Sequence, residues 1–135
     1  MDSVDEFNWV KERGKCSPSL AFERLRGEVR QDVEDRNAIR GPIPSHSYHF
    51  QSDSSTSFTV ILSGNQPHSS VRFLLSGEVI SVEIHEQRLD ATLTLQDTGE
   101  CVFKLGREEV GFWQFRKRAL EKLFFIDAQP NPVSE

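Results

Sequence analysis

Cysteine, methionine and tyrosine are scarce in this chain of 135 residues, which holds two, one and one of them. Two cysteines, Cys16 and Cys101, are too few for a disulfide framework or for a metal centre built from sulfur alone. No apolar run approaches the roughly 20 residues that a membrane-spanning helix needs. The segment from Met1 to Arg13 is acidic and lacks an apolar stretch, so no signal peptide is expected. A cytoplasmic protein with both cysteines as free thiols is the corresponding expectation. Positive charge is also short: 16 Lys and Arg face 21 Asp and Glu, giving a net charge of -5 and a pI near 5.4. Phosphate backbones are held by clustered Lys and Arg, so neither nucleic acid nor a membrane is expected as a partner.

The short motifs of catalysis are missing as well. There is no HExxH, no GxxxxGK[ST], no GxGxxG and no GxSxG. Among the histidines His46, His49, His68 and His85, the first two are three apart, which on a strand places them on opposite faces. Cys16 precedes a helix start that could lower its thiol pKa, yet no histidine is placed beside it; Cys101 reads as core filler. No catalytic residue, metal or cofactor is therefore assigned.

What is present is globular: 36% hydrophobic, 27% charged, with ten of the aromatics being Phe. Phe has no polar handle, so most of these rings belong in a core. Ser3 with Glu6 suggests a capping box for a first helix ending near Gly14. Ser17-Pro18 reads as an N-cap with proline in the first turn. Phe22, Leu25, Val29 and Val33 then make one apolar stripe. The charges between them, with Arg30–Glu34 and Asp32–Arg36 at i,i+4, read as a solvated face. Gly41-Pro42-Ile43-Pro44 would end this helical segment.

The period then changes to two. Phe58, Val60, Leu62; Val71, Phe73, Leu75; Ile80, Val82, Ile84; Leu89, Ala91, Leu93, Leu95; and Cys101, Phe103, Leu105 each alternate with mostly polar residues. A weaker strand is expected near Tyr48 to Gln51. Strands with one apolar face imply antiparallel pairing. A loop at Ser76-Gly77 would set Phe73 against Ile80 and Val71 against Val82. One at Glu86-Gln87 would set Ile84 against Leu89 and Val82 against Ala91. One at Asp97-Thr98-Gly99 would set Leu95 against Cys101 and Leu93 against Phe103. Beyond Leu105 the stripe Phe112, Phe115, Ala119 and Leu123, flanked by Trp113, Leu120 and Phe124, predicts a helix across the sheet. Its basic residues, Arg116 to Arg118 and Lys122, read as solvated.

The expected architecture is a single α+β domain over 1–135. It has a helical segment over 1–40, an antiparallel meander of five or six strands over 45–105, a C-terminal helix over 108–126 packed on one sheet face, and a tail over 127–135. The order is shared by many unrelated modules and carries no function by itself. In the register above, Glu83 faces Asp90 and His85 faces Arg88, with Arg72 nearby. Paired carboxylates need compensation, which a cation or a raised pKa could supply. Screening by Arg72, Arg88 and water is the plainer alternative. Ile61, Leu74, Val79 and Val102 fall on the same, nominally polar face; they mark either an interface, including one for a dimer, or cover by the N-terminal helices. Three functions follow. The first is a non-catalytic intracellular binding or protein-interaction module, with a protein partner or self-association. The second is a small-molecule site between sheet and last helix, lined by Phe58, Phe73, Phe103, Phe112 and Phe115. The third is an enzyme using Glu83, His85 and Asp90.

Overall fold

The computed structural model describes residues 7–39, 47–63, 69–84 and 87–125. Helix α1 (Trp9–Lys15) is capped by Asn8, whose side chain accepts from the Lys11 amide at 3.1 Å. The Ser3–Glu6 box lies outside the described residues, and Gly14 falls inside α1 rather than after it. Helix α2 (Pro18–Ala38) begins as its sequence predicts: Ser17 Oγ accepts from the Leu20 amide and proline occupies the first turn. Phe22, Leu25, Val29 and Val33 are buried, together with Ala21 and Arg36. The Gly41–Pro44 connector and the 127–135 tail lie outside the described residues. None of the described helices is long and apolar enough to cross a membrane.

The sheet has seven strands, each hydrogen-bonded antiparallel to the next in chain order. They are β1 (Ser47–Ser54), β2 (Ser57–Ser63), β3 (Ser69–Ser76), β4 (Val79–Ile84), β5 (Gln87–Leu95), β6 (Cys101–Leu105) and β7 (Glu108–Val110). The strand beyond the expected six is β7, which takes the residues where the last helix was to begin. Gly106 turns the chain with φ 63, a left-handed value that costs glycine little, and Val110 comes opposite Phe103. Helix α3 (Phe112–Phe124) therefore starts four residues later than the alternation alone implies.

Two of the three expected registers need correction. The β5–β6 pairing is as read, with Leu95 opposite Cys101 and Leu93 opposite Phe103. Between β3 and β4 the turn is Gly77-Glu78, because Gly77 takes the left-handed position at φ 62. Phe73 thus faces Val82 and Val71 faces Ile84. Between β4 and β5, Ile84 faces Gln87, so Val82 meets Leu89 and Ile80 meets Ala91. Both slips are by two residues, so every side chain keeps its face and only its cross-strand neighbours change.

Both long helices lie on the apolar face. Phe22 of α2 packs on Phe58, which stacks on Phe73 at 4.7 Å between ring centroids. Phe115 and Phe112 of α3 pack on Phe103 at 4.1 and 4.6 Å. These rings occupy the space that a ligand cavity between sheet and α3 would need. Four of the five proposed lining rings have no exposure and Phe112 has 5%. That interior is filled.

The two cysteines are not free thiols: Cys16 and Cys101 form a disulfide across 85 residues of sequence, with Cα atoms 5.5 Å apart. The inward side of β6 brings Cys101 beneath the start of α2, a meeting that neither cysteine's local sequence announces. The bond ties down a segment with little else to hold it. Of the described residues 7–20, Cys16 alone is buried, while Trp9 and Val10 are each 63% exposed. A second contact comes from Phe7, whose ring would sit 2.8 Å from a β-carbon on Gly99, so that glycine leaves it room. Closing a loop of this length is worth about 4–5 kcal/mol in the chain-entropy account. Reduction by a dithiol is expected to lower unfolding free energy by that order and to speed tryptic cleavage at Lys11, Arg13 and Lys15. Urea titrations with and without reductant, and digests timed by mass spectrometry, check both.

Candidate functional site

The outer face of the sheet carries the polar cluster that the sequence singled out, in a different arrangement. Thr59, Arg72, Glu83 and Arg88 lie opposite one another in a row across β2 to β5. Ser57, Leu74, Ser81 and Asp90 form the next row. Glu83 therefore faces Arg88 rather than Asp90, and the two carboxylates do not oppose each other. The reason is the two-residue slip at the β4–β5 turn. His85, the imidazole of the expected cluster, lies outside the described residues, as do His46 and His68.

Charges alternate along this face and compensate one another. Arg88 lies 2.9 Å from Asp90 and 3.7 Å from Glu83. Ser81, only 1% exposed, donates to Asp90 Oδ1 at 2.6 Å and accepts from Arg88 at 3.2 Å. The hydrogen bonds from Ser81 and Arg88 hold the Asp90 carboxyl below the usual carboxylate range. Across the face, Asp53 is lowered by hydrogen bonds from Gln51 and Thr59, with smaller help from Arg72 and Arg26. General acid–base chemistry near neutral pH calls for a raised carboxyl, so both shifts run the wrong way. Among the described residues, no three His, Cys, Asp or Glu side chains converge on a metal position.

The apolar residues on this face are scattered. Ile61, Leu74 and Val79 are half-buried and Val102 is buried. Each has a polar residue across from it: Ser70, Ser81, Ser76 and Thr94 respectively. Because α2 and α3 occupy the other face, neither long helix covers them.

The helical side holds features that the sequence did not reveal. The charge run of α2 is not a purely solvated face. The Arg24 guanidinium sits 3.8 Å from the Phe112 ring centroid, and Arg30 sits 4.8 Å from Phe50. Arg26 lies over Phe22 and Phe58 and donates to Ser52 Oγ and to the Ser54 and Ser55 carbonyls at 2.7–2.9 Å. It thereby pins the β1–β2 turn to the helix. Arg116 of α3, read as solvated, bridges to Asp32 at 2.6 Å and Glu28 at 2.8 Å of α2.

At the end of α3, the buried Arg36 donates to the carbonyls of Phe124 and Ile39 at 2.5 and 2.8 Å. Tyr48 of β1 donates to the Leu123 and Phe124 carbonyls at 2.9 and 3.0 Å. The last carbonyls of a helix have no partner within it, so these side chains complete α3.

Between the second half of α2 and the outward side of α3 lies a groove of about 340 Å³. Leu120 and Phe124 form its floor, and both are buried. Its rim mixes the charged side chains of Asp32, Asp35, Lys117 and Glu121 with three exposed apolar ones, Trp113 at 59%, Ile39 at 56% and Phe125 at 42%. Trp113 is the one member of the α3 apolar set that turns away from the core. Lys117 and Glu121 stand between Trp113 and Phe125, paired at 3.2 Å.

Two outcomes follow from these contacts. Arg36→Met is expected to cost about 2–3 kcal/mol, the value of hydrogen bonds to a charged donor, read as a lowered urea midpoint with the slope unchanged. The second concerns acid. The folded pKa values of Asp53 and Asp90 lie below the unfolded value near 3.9. Their stabilisation is therefore complete above that pH and is lost as pH falls through the folded values. Both groups are exposed, so each contributes less than about 1 kcal/mol. Asp90→Asn should flatten the stability–pH curve below pH ~4, seen by comparing urea midpoints of the two proteins at several acidic pH values.

No family model, no curated protein and no solved structure matches this chain.

Proposed function

We propose that the protein is a non-catalytic interaction module whose contact surface is the α2–α3 groove. The observation that carries this is that Trp113, Ile39 and Phe125, all exposed, line one groove over a buried apolar floor. Single apolar surface residues are ordinary, whereas large exposed apolar side chains set round one pocket are the usual form of a binding anchor. The enzyme reading through Glu83, His85 and Asp90 has little support, since the carboxylates are separated and Asp90 is held ionised. For the compartment, the Cys16–Cys101 disulfide supports oxidising surroundings over the cytosol inferred from free thiols.

A photo-crosslinking residue at position 113, compared with one at position 72 on the outer sheet face, tests the assignment in an extract of the source cell. A discrete product at 113 that is lost when Phe125→Glu is added, and is absent at 72, supports the groove. Equal products at both positions, or products at 72 alone, overturn it.

A further inference from the structure

The groove's outward wall has an internal symmetry that names its occupant. Along α3 and its C-cap residue the exposed ridge reads Trp113, Lys117, Glu121 and Phe125, each four residues after the last, and all four line the groove. The order along the ridge is apolar, positive, negative, apolar. Reversed against itself about a point near position 119, Trp113 meets Phe125 and Lys117 meets Glu121, and each pairing occurs twice. A two-fold interface demands this property, because the same patch must complement itself. From Trp113 to Phe125 the ridge runs 12 residue steps, about 18 Å at the helical rise, long enough for each Trp113 to reach the apolar end of the opposing groove. Resting on the groove reading above, we propose that the occupant is a second copy of this chain, docked through two antiparallel α3 helices.

In that arrangement Trp113 of each copy covers Leu120, Phe124 and Phe125 of the other, beside Ile39. Lys117 and Glu121, already paired within one helix, become a four-charge network across two. Like charges directly opposed would disfavour the parallel arrangement, in which Lys117 would meet Lys117.

Sedimentation velocity of the full chain over a wide concentration range, with its disulfide intact, reads the association. A concentration-dependent dimer is expected. Lys117→Glu and Glu121→Lys are each expected to weaken it at least tenfold, since each sets like charges opposite one another. Lys117→Glu/Glu121→Lys in one chain restores it. A mixture of the two single variants forms a heterodimer, because each supplies the charge that the other lacks. That last result cannot arise from the pairing within one helix, which both single variants have lost. Far-UV and near-UV circular dichroism of each variant confirms that it is folded.

A strictly monomeric chain, or single variants whose mixture does not associate, overturns the second copy as occupant. The crosslinker at 113 in the purified protein separates this failure from that of the groove itself. Linkage to residues 120–125 of another copy supports the dimer. Linkage to residues 126–135 of the same chain overturns it in favour of the protein's own tail. A monomer that still captures a different protein at 113 overturns the dimer and leaves the groove reading intact. Absence of any product at 113 removes both.

Discussion

The carbonyl end of α3 is where the helical layer is fastened to the sheet. A 13-residue helix ending against other elements leaves its last carbonyls without water or intrahelical donors. Arg36 from α2 and Tyr48 from β1 supply donors from two directions, and both side chains are nearly or fully buried. The Arg36 guanidinium also lies 5.0 Å from the Tyr48 ring and 5.1 Å from the Phe125 ring. One buried cation thus links α2, α3, β1 and the first residue beyond α3. Its charge suits the site, since a helix C-terminus carries partial negative charge. Arg116 fastens the middle of α3 to α2 by a different means, through Glu28 and Asp32. With both anchors in place α3 has no freedom to roll, so Trp113 is held on the outside.

The same use of arginine recurs along α2. Its apolar stripe is narrow and its sequence is crowded with charge, which would leave the flanks of the sheet's aromatic face open. Arg24, Arg26 and Arg30 close those flanks by lying over Phe112, Phe22, Phe58 and Phe50. The guanidinium is planar and weakly hydrated, so it can cover a ring and keep its hydrogen-bonding edge toward water or a carbonyl. Lysine at these positions would cover less and has no second nitrogen, whereas Arg26 donates to Ser52 Oγ from Nη1 and to the Ser54 and Ser55 carbonyls from Nη2. The apparent polarity of α2 is thus compatible with extensive packing.

How much of this is legible in the sequence depends on what each inference requires. Which face a residue takes needs only parity, and parity survives any even slip. Phe73, Ile80, Leu93 and Phe103 accordingly lie on one face as the alternation implies. Which residues are neighbours needs the turn to the residue, and two turns are displaced by one, which slips each pairing by two. The Glu83–Asp90 pair existed only in the displaced register. The disulfide was out of reach because local pattern says nothing about two cysteines 85 residues apart. Three-residue β7 is too short to show a period. The arginine contacts were hidden because a charged residue at a helical position looks the same whether it faces water or a ring. The ridge from Trp113 to Phe125 is visible at i+4 spacing, but its exposure depends on which side of α3 meets α2. That was decided by Arg116 and Arg36, both of which read as ordinary surface charge.

The outer sheet face and the groove differ in what a partner would have to displace. On the outer sheet face the two aspartates already have donors, Asp90 from Ser81 and Arg88 and Asp53 from Gln51 and Thr59, and Glu83 is ion-paired with Arg88. A ligand there would have to break short, satisfied hydrogen bonds and restore them with its own, a poor exchange for exposed groups. The groove differs in kind. Its floor is hydrocarbon, and its rim exposes two aromatic rings and an isoleucine whose burial alone would be favourable at roughly 25 cal/mol per Å². Arg116 and Arg36 are already committed to the scaffold beneath the groove, so a partner covering its apolar side chains leaves those bonds in place. Arg116 and Arg36 are spent on holding α3 in place, and the exposed apolar side chains that result along the groove are what a partner can cover.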